Sequence, residues 1–461
     1  MNSGLYSVLP VRAQNWVCGI AGWGRDRARF TPHFWETLAS WERTQDAPLT
    51  ELRALQASAL VRLVRRARAH CPYYAALPAP DDRGDPEAVI SRTLASIPPL
   101  EKATYREHSS ELLARDLPRR RLVRVATSGT TGSALSFWQT RERVAEWYAV
   151  AWRQRRRAGV DVRDWHMTFG GNAIVPLAQE RPPFWRTNRP GRQVLFSSYH
   201  LSPRFLPAYV DAVHATPARY AQGYPSALSL VAQALLDAGR PLPAGRLRAV
   251  FTSSETLLDS QRARIEAAFG APVHDYYSCS EMSVAMTGCR ERRLHVDLEF
   301  CLVEVETEEA TAEWERGPLL VTGLGNDATP LLRYRIGDVG TRARGPCPCG
   351  RAGDSFVSID GRIEDYVVTP DGRRIGRMDH VFKDQHDVAE AQILQDETAS
   401  ITVLVVPRAA WSPASERRLR DALHARLGHA IAIELRCVDA LPREPSGKLR
   451  AVKSRVGTLA S

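Results

Sequence analysis

Ala126-Thr-Ser-Gly-Thr-Thr-Gly-Ser-Ala134 is the stretch of sequence on which the fold assignment depends. It follows a short β-like run, Leu122–Ala126, and precedes a helix-like run, Arg141–Arg157. Two glycines with hydroxyl residues between them permit tight turns that aim N–H and O–H groups at anionic oxygens. The spacing is not that of a Walker loop, and no GK[ST] follows. The stretch is a candidate phosphate loop, and a polar surface turn is the alternative.

The sequence around this loop alternates between short β-like runs and amphipathic helix-like runs. Ala249–Ser253 is a strand candidate followed by the helix-like Ser260–Phe269. Cys301–Val305 and Leu319–Thr322 are further strand candidates. Such alternation is typical of a layered α/β domain with substantially parallel sheets.

The two ends of the chain differ from this α/β region. Residues 1–120 are predicted to be largely helical, since Glu51–His70 carries apolar residues at helical spacing; those on one side are Leu52, Leu55, Leu60, Leu63 and Val64. A boundary near Gly361 divides the chain into a large domain, 1–361, and a small α+β domain, 362–461. The expected order beyond it is a β-turn-like stretch (Tyr366–Arg374), a helix-like stretch, a strand (Ile401–Val406), a helix (Pro413–Leu427) and a strand (Ile431–Arg436).

Composition excludes several classes of protein. The 461 residues are 44% hydrophobic and 25% charged, as in ordinary globular proteins, and no apolar run is long enough to span a membrane. The first residues lack the pattern of a signal peptide, so a cytoplasmic protein is expected. The net charge of +10 is spread along the whole chain, which favours solvated helix faces over a nucleic-acid surface and is compatible with an anionic ligand such as ATP.

Lysine is scarce in this chain. Only four of the 62 basic residues are lysines, and the rest are arginines; the four are Lys102, Lys383, Lys448 and Lys453. These few are candidates for a compact ammonium that a planar guanidinium cannot replace. For any single lysine, the alternative is that it stands at its position by chance and has no functional role.

Three further segments carry side chains suited to nucleotide chemistry. Asp275-Tyr-Tyr-Ser-Cys-Ser-Glu281 places aromatic rings beside a carboxylate that can hold Mg²⁺, although a tyrosine pair is often core packing. Pro330-Leu-Leu-Arg-Tyr-Arg-Ile-Gly-Asp338 ends a strand-like run in a carboxylate that can grip ribose hydroxyls, and an ordinary turn is the alternative. Pro442-Arg-Glu-Pro-Ser-Gly-Lys-Leu-Arg450 presents Lys448 on a loop, where it suits an oxygen with developing charge or else faces solvent.

The order and spacing of these segments are more specific than any one of them. Together with Gly361-Arg-Ile-Glu-Asp365, Gly223-Tyr-Pro-Ser-Ala-Leu228 and Met378-Asp-His-Val-Phe-Lys383, they resemble the adenylate-forming superfamily of acyl-CoA synthetases. Within it the chain is most similar to the phenylacetate–CoA ligase group, and there to CapK-like proteins. The resemblance extends from about Gln56 to Val456. It implies a large adenylate-forming domain of layered sheets and helices, joined by a hinge to a small C-terminal domain.

The resemblance also implies roles at matching positions. Lys448 would bridge carboxylate and α-phosphate, Glu281 would help to hold Mg²⁺, Asp338 would bind the ribose, and Arg362 would lie near it at the hinge. The remaining ATP-binding positions are Thr127, Ser128, Gly129, Thr130, Thr131 and Gly132 for the phosphates, and Ser254, Glu255, Thr256, Tyr276 and Tyr277 for adenine. The substrate cavity would include Tyr199, His200, Tyr224 and Ser226, which are equally compatible with core positions.

Three departures from the family pattern stand out. Ser133 follows the phosphate loop where lysine is frequent, so less charge meets the γ-phosphate. Ser278 replaces the usual glycine after Tyr277, and the hinge position, commonly aspartate, is Glu364. None of these removes a residue that the chemistry requires.

Four cysteine and histidine residues have the character of metal ligands. Cys289 and His295 are separated by five residues, and Cys347 and Cys349 by one. A Cys₃His set favours tetrahedral Zn²⁺, and four protein ligands leave no open position, which is typical of a structural site. Two unrelated pairs of reduced cysteines are the alternative; zinc at matching positions in some members of the group favours the site.

The leading hypothesis is ATP-dependent activation of a carboxylic acid as acyl-AMP with release of pyrophosphate, followed by transfer to CoA or another acceptor. The cofactors would be ATP, Mg²⁺ and a structural Zn²⁺, with CoA as one acceptor. An adenylyltransferase that leaves AMP on a small molecule is the alternative enzyme, and a non-catalytic nucleotide-binding protein is the alternative of another class. Neither nucleic acid nor membrane is expected as a partner, and a homodimer is left open.

Overall fold

The structure is a computed structural model that describes residues 3–126, 135–172, 174–176, 178–202, 204–362, 367–370, 374–375, 378–382, 385, 387–443 and 449–456. The α-helices in these ranges are α1 (Ser3–Ser7), α2 (Val11–Arg29), α3 (Pro32–Thr44), α4 (Leu49–His70), α5 (Pro86–Ala95), α6 (Lys102–Glu107), α7 (Arg141–Arg157), α8 (Leu206–Ala215), α9 (Pro225–Asp237), α10 (Asp259–Phe269) and α11 (Pro413–Leu427). None of them combines the length and apolar character needed to cross a membrane.

The strands in the same ranges are β1 (Val123–Ala126), β2 (Ser136–Gln139), β3 (His166–Gly170), β4 (Trp185–Asn188), β5 (Gln193–Ser197), β6 (Tyr220–Gly223), β7 (Ala249–Ser253), β8 (Val273–Ser278), β9 (Ala285–Gly288), β10 (Leu294–Val296), β11 (Cys301–Val305), β12 (Glu309–Ala310), β13 (Trp314–Gly323), β14 (Tyr334–Ala343), β15 (Ser355–Arg362), β16 (Val367–Val368), β17 (Arg374–Ile375), β18 (Val388–Glu397), β19 (Ser400–Pro407), β20 (Ala432–Cys437) and β21 (Val452–Ser454). The chain separates into two compact units. The first unit consists of residues 1–21, 163–273 and 360–461, and the second of residues 22–162 and 274–359.

The first unit contains a largely parallel sheet. Its strands lie in the order β4-β5-β3-β6-β7, with only β4 antiparallel to its neighbour. Helix α8 connects β5 to β6, α9 connects β6 to β7, and α10 follows β7. They contribute Tyr209, Leu228 and Ile265 to the core. Helix α10 is capped by Gly270, which has a φ of +61°, and a Cβ built there would lie only 2.8 Å from the Leu242 carbonyl oxygen. The predicted strand–helix alternation is therefore confirmed here.

The second unit combines N-terminal helices with an antiparallel sheet. Its strands follow the order β11-β13-β14-β15-β10-β9-β8, and β12 pairs with β13. Helix α4 buries Leu52, Leu60, Leu63 and Val64 against this unit's core, as predicted. The prediction was wrong for Leu55, which is 43% exposed because it lies at the edge of the buried helix face.

A buried charge cluster lies in the second unit. Arg153 of α7 pairs with Asp297 and with Glu299, each at 2.7 Å. Burial alone would raise the pKa of Glu299, but Arg153 outweighs it and holds that pKa below the ordinary value. The pairing compensates the cost of removing these charges from water.

Residues 388–456, which belong to the first unit, form a separate four-stranded sheet with the order β20-β19-β18-β21. Helix α11 packs on it with Leu419 and Leu423 and has the predicted bounds. The helix-like stretch expected before Ile401 was wrong: a 3₁₀ turn, Met378–Phe382, and the long strand β18 occupy this part. Its alanines and glutamines favour a helix locally, and pairing with β19 and β21 overrides that preference.

Candidate functional site

A β-hairpin brackets the candidate phosphate loop. Strands β1 and β2 pair antiparallel, and Ala126 lies opposite Ser136. The loop between them contains Thr127–Gly132, whose residues lie outside the described ranges. The structure thus places the two ends of the loop side by side and leaves its phosphate-binding role a prediction.

A β-bulge fixes the position of Asp338. Pro318 pairs with Val339 and Leu320 with Arg335, so that Leu319 of β13 faces three residues of β14, 336–338. Gly337, in the middle of the bulge, has a φ of +85°, a conformation that L side chains rarely adopt. Bulges of this kind redirect a side chain and are frequent beside active sites. Gly337 is therefore required by the geometry that presents Asp338.

Tyr277 and Asp338, both predicted to bind the nucleotide, lie in contact. The hydroxyl of Tyr277 donates a hydrogen bond to Oδ2 of Asp338 at 2.5 Å. Burial first, and then the negative charge of Asp338, raise the pKa of Tyr277 far above its ordinary value, so the phenol stays protonated and acts as the donor. The preceding residue, Tyr276, packs against the core of the second unit. The pair fixes the carboxylate before any ligand binds.

Glu281 occupies a turn that is held from two sides. The side chain of Gln139 donates to the carbonyl of Glu281 at 2.7 Å, and the guanidinium of Arg143 donates to the carbonyl of Met282 at 2.8 Å. Glu281 as a whole is only 6% exposed, and the hydroxyl of Tyr334 lies 3.4 Å from its carboxylate. Because the turn is held by these hydrogen bonds, the buried carboxylate is preorganised to act as an oxygen ligand for a cation.

Lys102 adds a positive charge to this region that sequence reasoning did not assign to the site. A Cβ built on Gly337 would lie 2.6 Å from the Nζ of Lys102, so the ammonium packs against the backbone beside Asp338. The available signal was the scarcity of lysine. The distance along the chain, more than 200 residues, concealed the contact.

Glu255, predicted to line the adenine site, bridges two backbone groups in the first unit. One carboxylate oxygen accepts from the N–H of Ser226 at 3.0 Å, and the other accepts from the N–H of Leu449 at 2.9 Å. Ser254, which precedes it, has a φ of +73°, and Thr256 follows in the same turn.

The predicted cavity residues of the first unit fall into two groups. The hydroxyl of Tyr199 donates to the carbonyl of Gly171 at 2.9 Å, and Tyr224 also has a backbone hydrogen bond with Gly171. His200 is instead buried, with Nδ1 at 2.8 Å from the Ser197 hydroxyl and its ring stacked on Phe184. The sequence left open whether His200 lies in the cavity or in the core, and these contacts are those of a core residue.

The side chains of several predicted functional residues cannot be placed. Lys448 and Glu364 lie outside the described residues, as do Thr127–Gly132. Arg362 is the last residue of β15, and its side chain is outside the description as well. The roles given to these residues remain predictions.

The four candidate metal ligands converge in the second unit. The donor atoms of Cys289, His295, Cys347 and Cys349 lie within 4.8 Å of one another. The Sγ atoms of Cys289 and Cys347 are 3.8 Å apart, and Sγ of Cys349 is 3.3 Å from Nε2 of His295. Burial, followed by the charges of nearby arginines, lowers the pKa of His295 to about 3. The imidazole is thus neutral, as metal ligation requires.

The amino-acid sequence of this chain is similar to those of several known proteins. Residues 367–455 match the family model of the CapK C-terminal domain. The chain is 25% identical to protein CapK of Staphylococcus aureus over 97% of its own length and 98% of that protein. It is also 27% identical to phenylacetate–coenzyme A ligase of Thermus thermophilus, over 70% of this chain and 72% of that one.

The chain is homologous to CapK and to phenylacetate–CoA ligase. Among solved structures it is similar to 2-hydroxyisobutyryl-CoA ligase in the postadenylation state, with a TM-score of 0.67, 19% identity and coverage of 90% of this chain and 92% of that one. It also matches the same ligase in the thioesterification state, with a TM-score of 0.54, 20% identity and coverage of 89% and 91%. The CapK homologue therefore has the fold of the adenylate-forming CoA ligases, which confirms the predicted resemblance and fold class.

Proposed function

We propose that this CapK homologue activates a carboxylic acid with ATP and transfers the acyl group to CoA. In the first half-reaction a carboxylate oxygen attacks the α-phosphorus of ATP, which gives acyl-AMP and releases pyrophosphate. In the second, the CoA thiolate attacks the acyl carbonyl, and AMP leaves. The observation that carries the proposal is the Tyr277–Asp338 pair on the β14 bulge, a preformed carboxylate for ribose hydroxyls in a chain with this fold.

The described residues support defined roles in this chemistry. Asp338, held by Tyr277, would accept hydrogen bonds from the ribose, and Lys102 beside it would supply positive charge to the nucleotide. The buried carboxylate of Glu281 fits the oxygen ligation that Mg²⁺ prefers; Mg²⁺, when bound, would neutralise phosphate charge. Lys448, on the 362–461 domain that we infer to move about the hinge, would offset repulsion between carboxylate and phosphate.

Relatives with known structures support the two-step scheme. The 2-hydroxyisobutyryl-CoA ligase has been captured with the adenylate 2-HIB-AMP, and in complex with both 2-HIB-AMP and CoA. We infer the same succession for the CapK homologue, with its own unidentified acid. An enzyme that uses ATP and CoA and keeps its cysteines reduced would work in the cytosol.

We also propose that Cys289, His295, Cys347 and Cys349 hold a structural Zn²⁺. The donor set is Cys₃His, the atoms converge, and the neutral imidazole suits ligation. The ion would clip the segment after β14 to the turn between β9 and β10. It would take no part in the acyl chemistry.

A pyrophosphate-release assay tests the main proposal. Purified protein is given ATP, Mg²⁺ and a panel of carboxylic acids that includes phenylacetate and 2-hydroxyisobutyrate, with and without CoA. We expect at least one acid to release pyrophosphate, and CoA to convert the product to a thioester. Lys448→Ala should abolish carboxylate-dependent ATP–pyrophosphate exchange, whereas Lys453→Ala, in the neighbouring strand β21, should not.

The same assay separates the alternatives. A stable AMP adduct without free AMP would indicate an adenylyltransferase instead of a ligase. ATP binding without any pyrophosphate release, across the whole panel, would indicate a nucleotide-binding protein. Near-normal exchange in Lys448→Ala would refute the role of that lysine.

A further inference from the structure

The carboxylate of Glu255 joins two segments of the first unit that are far apart in sequence. One oxygen accepts from the N–H of Ser226, in the first turn of α9, and the other accepts from the N–H of Leu449. Leu449 immediately follows Lys448. Each oxygen therefore accepts from one backbone N–H. One peptide bond joins Leu449, which makes the second of these contacts, to Lys448.

Glu255 itself is firmly oriented. It follows the carboxyl end of the parallel strand β7, and the turn at Ser254 adopts a φ of +73° that few L residues take up. The N-cap residue of α9, Tyr224, makes no side-chain cap hydrogen bond, so the Glu255 carboxylate fills that role and lies at the positive end of the helix. The bridge is therefore anchored on the β7–α9 side.

Arg443 makes a second connection at the other end of the same segment. Its guanidinium donates to the hydroxyl of Ser226 at 3.3 Å and to the carboxylate of Glu390 at 2.5 Å. The side chains of Arg443 and Glu390 are 13% and 10% exposed, so this ion pair is largely shielded from solvent. Arg443 and Leu449 are the described residues that flank positions 444–448, and both contact the first turn of α9 or its capping carboxylate.

We propose that Glu255 and Arg443 are positioning residues that clamp both ends of the Lys448 segment for the adenylation half-reaction. The inference rests on the proposed function. Arg443 and Glu390 belong to the same small sheet region and would move together, so the hydrogen bonds to Ser226 and to Glu255 are among the contacts that break when the 362–461 domain turns for transfer. Hydrogen bonds of this kind exchange with water at small net cost, which makes such a clamp reversible.

A long carboxylate suits this clamp better than its amide. Two N–H groups point at two different oxygens of Glu255, and both oxygens are acceptors in the ionised form. Glutamine would offer one oxygen and one NH₂ group, and therefore would lose one of the two contacts. Alanine would lose both.

Hydrogen–deuterium exchange on the full-length protein tests the Glu255 contact without any substrate acid. The Leu449 amide should exchange about tenfold or more faster in Glu255→Ala than in the wild type, because its acceptor is gone. Glu255→Gln should show a smaller increase at Leu449 or at Ser226. Glu434→Gln is the matched control, since it removes an exposed carboxylate from strand β20, and it should leave both amides unchanged. Equal exchange at Leu449 in the wild type and Glu255→Ala would overturn the clamp.

The two half-reactions test whether the clamp acts on adenylation. The assay uses an acid that supports ATP–pyrophosphate exchange in the wild type. Arg443→Ala should lower kcat for this exchange about tenfold or more. Transfer from supplied acyl-AMP to CoA should stay within about threefold of wild type. Arg443→Lys should restore part of the exchange rate. Arg436→Ala, which removes an exposed arginine of the same domain, is the control for both measurements.

Two outcomes would overturn this role for Arg443. Equal losses in both half-reactions would indicate a merely structural residue, and unchanged exchange would indicate no role. If no acid supports exchange, the proposed function fails, yet the hydrogen-exchange experiment still decides whether Glu255 holds Leu449. Failure of the clamp and failure of the ligase assignment are thus distinguishable.

Discussion

Tyr277→Phe is the most informative single substitution at the nucleotide site. It keeps the ring and removes only the hydroxyl that donates to Asp338 at 2.5 Å. A hydrogen bond from a neutral donor to a charged acceptor contributes about 1.5–3 kcal/mol. Asp338 is half-buried, so water can partly replace the lost donor, and we expect the lower end of that range.

The expected effect follows from that free energy. About 1.4 kcal/mol corresponds to a tenfold change in a binding constant. If orientation by Tyr277 sets the position of the ribose-binding carboxylate, the Kd for Mg·ATP should rise about tenfold. Isothermal titration calorimetry with Mg·ATP measures this directly and needs no knowledge of the acid.

Tyr209→Phe provides the comparison for a simple loss of stability. The hydroxyl of Tyr209 is buried and donates to the carbonyl of Ser197 at 2.6 Å, a contact within the core of the first unit. Its removal should lower the midpoint of thermal unfolding without changing the Kd. Wild-type affinity for Mg·ATP in Tyr277→Phe would refute the reasoning, whatever its effect on stability.

Three other predictions concern metal, acid stability and charge. Cys347→Ser should abolish zinc content and lower the unfolding midpoint by several degrees, while Cys437→Ser, at an exposed position, should do neither; a metal-free wild type of full stability would contradict the site. The pKa of Glu299 is held low by Arg153 despite burial, so its stabilising contribution is complete above the ordinary carboxyl pKa and is lost as the pH falls. Glu299→Gln should therefore flatten the acid side of the pH–stability curve in denaturant unfolding, and an unchanged slope would argue against the pairing. Lys102→Met should raise the Kd for Mg·ATP a few-fold, on the scale of about 1 kcal/mol for a partly exposed charge, and equal affinities would exclude that charge from the site.

Local pattern was sufficient where a feature depends on nearby residues. Helix α11 has the predicted bounds because Ser412 caps it, Pro413 begins it and Gly428 follows its last residue. The four candidate metal ligands could be predicted as a set because thiol and imidazole side chains at short spacing suit a metal ion, and the structure brings their donor atoms together. Strand β1 lies within the predicted β-like run, Leu122–Ala126.

Local pattern failed where distant contacts outweigh propensity. Strand β18 was missed because its composition favours a helix and its partners lie on both sides in the folded sheet. The sequence left His200 open between the cavity and the core, and its contacts with Ser197 and Phe184 are those of a core position. Intrinsic propensity is a weak prior for β18, and strand pairing in the sheet outweighs it.

The sequence by itself predicted the resemblance to adenylate-forming ligases and the fold class, because the ordered motifs carry residue types suited to phosphate, ribose and metal. Only the tertiary structure decided how those residues are held. The bulge that presents Asp338, the Lys102 ammonium beside it, and the Glu255 bridge between Ser226 and Leu449 all depend on contacts between residues tens to hundreds of positions apart. Such contacts follow from strand register and helix packing, which no short segment encodes alone.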